Sequence, residues 1–298
     1  MHLSNERLGQ LYAIFAFLFW GGLSPIYFKE VSSVEPIEIL VYRVLFSVIT
    51  LLPFFFFKKE LIAFFNIIKD FRQIRNLFLS TLFVSINWLI FIWAITNNRI
   101  LEASLGYYIN PLVNVLFGFL FFNERMTKYQ YLAIFIAILA ILYQLITLGY
   151  IPIVSLSLAV SFAIYGMIRK KINVGSIVGL FVEVLLLLPF AGAYLIYIYN
   201  TKGIAFGENS GVYVSFMLVL AGLVTVIPLL LFNGAATRMK LATLGFFQYI
   251  APTVSFFTAV FIYHEEFNFD KLVTFCLIWL ALIIYSLDSF SKKKVKIK

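Results

Sequence analysis

Apolar runs broken by short polar gaps divide this chain into ten candidate membrane spans. They cover residues 9–28, 37–57, 76–96, 101–122, 130–148, 151–168, 175–199, 212–233, 242–262 and 271–288. Runs such as Leu77–Ile95 and Leu272–Leu287 are nearly free of charge. Each is close to the length a helix needs to cross a hydrocarbon layer roughly 30 Å thick. Strands of a membrane barrel would alternate apolar and polar residues over about ten positions, and these runs do not alternate. Breaks as short as Asn97-Asn98-Arg99 and Gly149-Tyr150 make neighbouring helices antiparallel hairpins. The pattern predicts an all-α polytopic membrane protein.

The same pattern contains a duplication. Tyr108-Ile109-Asn110-Pro111 is followed after twelve residues by Glu124, and Tyr249-Ile250-Ala251-Pro252 after twelve residues by Glu265. The offset of 141 is close to half of the 298 residues. A repeat of that size in an apolar chain is the mark of a secondary transporter built from two related halves. The halves are expected at residues 1–149 and 150–298, with five helices each.

Charge sets the expected orientation. The formal net charge of +9 would suggest nucleic acid in a water-soluble protein. Here the chain is 62% hydrophobic and only 12% charged, with a mean hydropathy of +0.98, so where the charges lie matters more than their sum. With the N-terminus inside, the inner segments hold 18 of the 23 Lys and Arg, including the clusters at 58–75, 169–171 and 292–298. The outer segments hold Lys29, Arg99, Lys202 and Lys271. The positive-inside rule then gives both termini a cytoplasmic location. Five spans per half is an odd number, so the second half is inverted relative to the first. Glu124 then ends the fourth span inside, and Glu265 ends the ninth outside. The first apolar run has no small-residue cleavage site after it and reads as a retained span. The lone Cys276 precludes an intrachain disulfide.

Polar side chains within spans are costly and point to partners or to a cavity. Tyr107, Asn110 and Asn114 share one face of the fourth span; adding 141 gives Gln248, Ala251 and Ser255 on one face of the ninth. These stripes either line a central cavity or glue helices together. Trp20, Asn87, Trp88, Tyr165 and Asn233 are further cavity candidates. Pro25, Pro111, Pro228 and Pro252 are candidate kinks or hinges, since proline frees a carbonyl one turn earlier. Lys29, Glu38, Arg43 and Glu183 are charges that need partners. For Arg43, near the middle of the second span, Glu183 is one possible counter-charge, and a structural ion pair is the default reading. Glu124 and Glu265 suit a cap or gate.

No G-x-x-x-x-G-K-[ST] loop, H-E-x-x-H helix or G-x-S-x-G elbow occurs, so these routes to catalysis are missing. No cofactor or metal is implied. Several segments resemble the RarD-type permeases of the EamA group, in the drug/metabolite transporter superfamily. They are Phe19-Trp20-Gly21-Gly22-Leu23-Ser24-Pro25, Glu35-Pro36-Ile37-Glu38 with Arg43, Asn87-Trp88, Leu101-Glu102-Ala103-Ser104-Leu105-Gly106-Tyr107-Tyr108-Ile109-Asn110-Pro111, Val224-Thr225-Val226-Ile227-Pro228 and Gln248-Tyr249-Ile250-Ala251-Pro252. The resemblance runs through nearly the whole chain. Gly106 and Gly245 lie five and seven residues before their prolines, so the halves differ in register there.

The resemblance implies a ten-helix inner-membrane carrier that exports small organic molecules, such as metabolites, amino acids or drugs. It also implies a central cavity among helices 1, 3, 4, 6, 8 and 9. The expected partners are a small-molecule substrate and membrane lipids, with no nucleic acid; monomer and homodimer both remain open. The alternatives are an intramembrane lipid-modifying enzyme and a non-transporting scaffold or sensor.

Overall fold

The computed structural model describes residues 4–96, 100–149, 151–172, 174–207, 210–258, 261 and 269–295. The described residues are helical with no strand. The first span is a composite of α1 (Asn5–Leu18), a π turn at Phe19–Leu23 and α2 (Ser24–Glu30). α3 (Pro36–Leu51) has proline at its first position, where a missing N–H costs nothing, and runs into a 3-10 turn at Leu52–Phe56. α4 (Lys58–Lys69) follows, then α5 (Phe71–Thr96), α6 (Ile100–Phe122) and α7 (Lys128–Leu148). The second half contains α8 (Ile153–Lys171), α9 (Ser176–Thr201), α10 (Gly211–Ala236), α11 (Leu241–Gln248), α12 (Ile250–Phe257) and α13 (Phe269–Val295).

Eight helical segments, from Asn5–Glu30 to Gly211–Ala236, are long and apolar enough to cross a membrane. The other two expected spans correspond to α11 with α12, broken at Tyr249, and to the apolar stretch Leu272–Asp288 of α13. The connection after the second span contains α4, a helix that the polar break did not announce. Its Ala63, Phe64 and Ile67 pack with Leu77, Ile74 and Val178, while Leu61, Ile62 and Phe65 remain exposed.

Local signals place several boundaries. Asp70 accepts hydrogen bonds from the Gln73 side chain and from the Gln73 and Arg72 N–H groups, which starts α5 and holds its carboxyl below the usual range. Thr127 and Gln130 form a capping box at α7, and Gly149 ends that helix in the left-handed region at φ 77°. Pro111, Pro189 and Pro228 lie inside helices that continue through them. Pro25 follows the π turn, and Pro252 lies just beyond the break at Tyr249.

Packing follows a repeated scheme. α6 and α5 lie on α8, as α11 and α10 lie on α1; α3 lies on α10, as α9 lies on α5. α7–α13, α6–α11 and α3–α9 are further extensive contacts. If the ten expected spans are numbered in order and each number is advanced by five, this set of pairs returns to itself. Small residues set the spacing where water cannot drive helices together. Ala133, Ala137 and Ala140 form one fully buried edge of α7, packed with Ile278 and Ala281 of α13. The outward surface is rich in exposed Phe, Leu and Ile, as at Phe119, Phe135, Phe190 and Phe216, the composition a lipid-facing surface requires.

At Gly222 a Cβ would collide with the backbone of Phe46, so α10 and α3 touch through main chain. Gly222→Ala is expected to lower the thermal unfolding midpoint of the detergent-purified protein, at the about 1–3 kcal/mol typical of overpacking. Gly192→Ala, where a Cβ meets nothing within 4 Å, serves as the control and should leave the midpoint unchanged.

Candidate functional site

The duplicated segments meet. Tyr249 donates its hydroxyl to the carbonyl of Tyr108, its counterpart at an offset of 141, at 3.2 Å. Beside this contact is a run of buried amides. Asn114 Nδ2 donates to Gln248 Oε1 at 2.5 Å and to Asn110 Oδ1 at 3.0 Å, and Asn110 Nδ2 donates to the Ala159 carbonyl at 2.5 Å. Asn87 Nδ2 donates to the Leu158 carbonyl at 2.9 Å and to Ser161 Oγ at 3.0 Å. Four of the expected polar residues therefore stitch α5, α6 and α11 together, with α8 as the shared acceptor. An amide desolvated among apolar side chains costs free energy unless it is paired; this chain of bonds pairs the amide NH2 and carbonyl groups named, while Asn114 Oδ1 is left without a partner among the described residues.

The first span bends where its hydrogen bonding fails. Pro25 has no N–H to offer the carbonyl of Gly21, one turn earlier. Ser255 Oγ of α12 donates to that carbonyl at 2.9 Å. A Cβ at Gly21 would strike the backbone of Ala251, so only glycine admits this approach of α12 to the π turn. Trp20, in the same turn, packs against Phe17, Phe162 and Phe232 with centroids 5.7–5.9 Å apart.

The end of the bundle that holds the Arg169-Lys170-Lys171 cluster contains two acid–base groups. Glu124 accepts the N–H groups of Leu241 and Ala242 at 2.8 and 2.9 Å, and Lys170 Nζ lies 3.5 Å from its carboxylate. The free N–H groups at the start of α11 form a positive pole that a carboxylate neutralises. Glu124 thus ties the end of α6 to the start of α11. Its repeat partner, Glu265, lies outside the described residues. Lys170 also reaches the Met239 carbonyl at 2.5 Å, so α8 joins the same knot.

Deeper at that end, Glu183 is 2% exposed and pairs with Arg169 at 3.7 Å. Ser80 Oγ donates to Glu183 Oε1 in a very short hydrogen bond, and the Tyr165 hydroxyl donates to Oε2 at 3.5 Å. Asn233 Nδ2 donates to Tyr165 OH at 2.9 Å. The expected pairing of Glu183 with Arg43 is therefore corrected. Arg169 in the last turn of α8 is the counter-charge, because the α8–α9 connection brings the two side chains to the same end of the bundle. In the sequence Arg169 counted only as one of the basic residues of an inner segment. The available signal was its position four residues after Tyr165, on the same helical face. Ser80 carried no signal at all.

Arg43 faces α10 and α5 instead. Its Nε donates to Thr225 Oγ1 at 2.9 Å, and its guanidinium carbon lies 4.8 Å from the Trp88 ring centroid and 5.6 Å from that of Phe28. Tyr107, the remaining stripe residue, keeps 53% of its surface accessible and meets Phe91 edge-on at 6.2 Å. Glu38 is buried and accepts the N–H of Ala205 at 2.6 Å, while Lys29 is exposed in the last turn of α2. Two apolar concavities of about 370 and 420 Å³ lie elsewhere, one beside Tyr42, Phe46 and Phe206 and one beside Leu142, Ile146 and Ile151. Neither contains these polar groups.

Similarity to known proteins can now be set against this geometry. The model of the EamA-like transporter family matches residues 7–146. An "Uncharacterized transporter" of Vibrio cholerae is 46% identical, over 95% of this chain and 93% of its own length. "Protein RarD" of Escherichia coli is 43% identical, over 97% of both chains. One solved crystal structure, 16% identical in sequence, superposes with a TM-score of 0.71 over 94% of this chain and 97% of its own; it supports the fold alone.

Removing the Glu183 charge would leave Arg169 buried and uncompensated, a change that typically costs about 3–5 kcal/mol. Glu183→Gln should lower the unfolding midpoint clearly, and Glu183→Gln combined with Arg169→Met should recover most of the loss. Thermal unfolding of the purified single and double variants checks this.

Proposed function

The chain belongs to the RarD-type members of the EamA-like transporter family, and from that premise we propose that it exports small organic molecules by alternating access. That it is a membrane transporter of the drug/metabolite kind follows from the family. The finer reading rests chiefly on one observation. A single acidic knot, Glu124 with the N-terminus of α11 and Lys170, closes one end of the seam between the duplicated helices.

Two inverted five-helix halves, with ten crossings and both termini in the cytoplasm of a bacterial cell, suit the packing scheme described above. Under that arrangement the knot closes the cytoplasmic end. Glu265, at the repeat-related position, would form the matching closure at the outer end when the first knot opens. Exchanging one closure for the other is alternating access. The π turn at Phe19–Leu23 and the break at Tyr249 supply bends next to the seam, since irregular turns with proline give way more easily than a regular helix. Pro25 and Pro252 are the hinge residues of this reading, with Pro111 and Pro228 keeping lesser kinks. Asn110, Asn114 and Gln248 hold the seam together and border the path, with Asn87, Tyr165 and Asn233 behind them.

Uptake of radiolabelled amino acids, phenicols and organic acids into inverted vesicles tests the carrier. Faster movement than in empty vesicles is expected for at least one solute; no acceleration over a broad panel would sink the reading. Glu124→Ala should reduce that transport by about tenfold or more while leaving yield near normal, because it unties the closed end. Asn110→Leu and Gln248→Leu are expected to impair transport with folded protein retained. Loss of folded protein in both would assign these amides to helix adhesion alone.

A further inference from the structure

Of the arginines within the described helices, Arg43 and Arg169 are the two that are not exposed, and their surroundings differ. Arg169 is 1% exposed and has a carboxylate beside it. Arg43 retains accessible surface, and among the described residues no carboxylate forms an ion pair with it. Its one hydrogen bond uses Nε, toward Thr225; neither Nη group, the two tips of the guanidinium fork, is engaged. Trp88 and Phe28 hold the plane from their ring faces at 4.8 and 5.6 Å. Aromatic faces attract a cation without neutralising it. The guanidinium is thus fixed in direction with its fork unused, a costly arrangement for a charge within a bundle whose other internal arginine is paired.

The groups around that fork suit a ligand. Tyr107 lies within electrostatic range of Arg43, and more than half of its surface is accessible. Tyr27, on α2, also lies in range of Arg43, and its buried hydroxyl has no hydrogen-bond partner. An unpaired hydroxyl thus lies in electrostatic range of an unengaged fork that aromatic rings flank. A planar fork matches a carboxylate through two parallel hydrogen bonds.

We infer that Arg43 receives the carboxylate of the transported solute, a small organic anion with a flat apolar body, with Tyr27 as a second donor and Trp88, Phe28 and Tyr107 as walls. This inference rests on the carrier reading and narrows it to a substrate class.

The test uses the full chain in detergent with radiolabelled phenylacetate as probe and phenylacetamide as its neutral counterpart. Saturable phenylacetate binding is expected, competed by benzoate and not by phenylacetamide. Arg43→Gln should weaken it about tenfold or more, the usual scale for a charge-assisted pair. Arg43→Lys, which keeps the charge and loses the fork, should fall between. Tyr27→Phe leaves the guanidinium untouched and should weaken binding severalfold, so it decides the matter if Arg43→Gln fails to fold. Equal binding of acid and amide, unchanged binding in folded Arg43→Gln, or no saturable phenylacetate binding would overturn the inference. Transport separates the two claims. Proteoliposomes that carry an uncharged solute equally with wild type and Arg43→Gln would keep the carrier and overturn the anion site. Arg43-dependent phenylacetate binding without movement of any solute would keep the site and remove the carrier.

Discussion

Hydrocarbon offers no hydrogen bonds, so a polar group carried into the bundle is stabilised by a partner inside the protein. That constraint organises what surrounds the seam. The side chains of Asn87, Asn110, Asn114 and Gln248 bond to one another and to α8. Ser255 takes up the carbonyl that Pro25 leaves without a donor. Glu124 takes up the free N–H groups at the start of α11. Apart from the Asn114–Asn110 bond within α6, these bonds join different helices, and each is made where a helix is irregular, ends, or carries an amide. Apolar packing alone would bring helices together in lipid without fixing which residues meet.

The same constraint gives a physical basis for movement. Bonds that satisfy a helix end or a proline-freed carbonyl are discrete: they are made in one arrangement and must be replaced in another. Under the proposed alternating access a second closure replaces the Glu124 knot, and a bundle with two such mutually exclusive closures would have two arrangements of similar energy, which is what a carrier needs and a scaffold does not. Arg43 stands apart from this economy. Its fork is left unengaged in a bundle where the other internal arginine has its carboxylate.

Much of the architecture was legible beforehand. Of the ten spans expected from apolar runs, eight are helices long and apolar enough to cross a membrane, and the repeat pointed to Tyr108 and Tyr249, which are in contact. α4 was missed because its charged flanks resemble a loop, although Ala63, Phe64 and Ile67 make one packed face. The site was less legible. The stripe pattern found Asn114 and Gln248 but gave no sign that Ser255 would bond to Gly21 and not to the first-half stripe. Acceptors such as the carbonyls of Leu158 and Ala159 leave no trace in a sequence, since every residue has one.

By itself the sequence determined the class of molecule, the positions of eight apolar helices and the repeat of its motif, because hydropathy and periodicity act locally along the chain. It also identified which polar residues had to find partners. Only the tertiary structure decided the partners themselves: Arg169 for Glu183, Thr225 and Trp88 for Arg43, and the start of α11 for Glu124. Pairing depends on which faces of distant helices come within about 3–4 Å, and that distance is fixed by the packing of all the helices together.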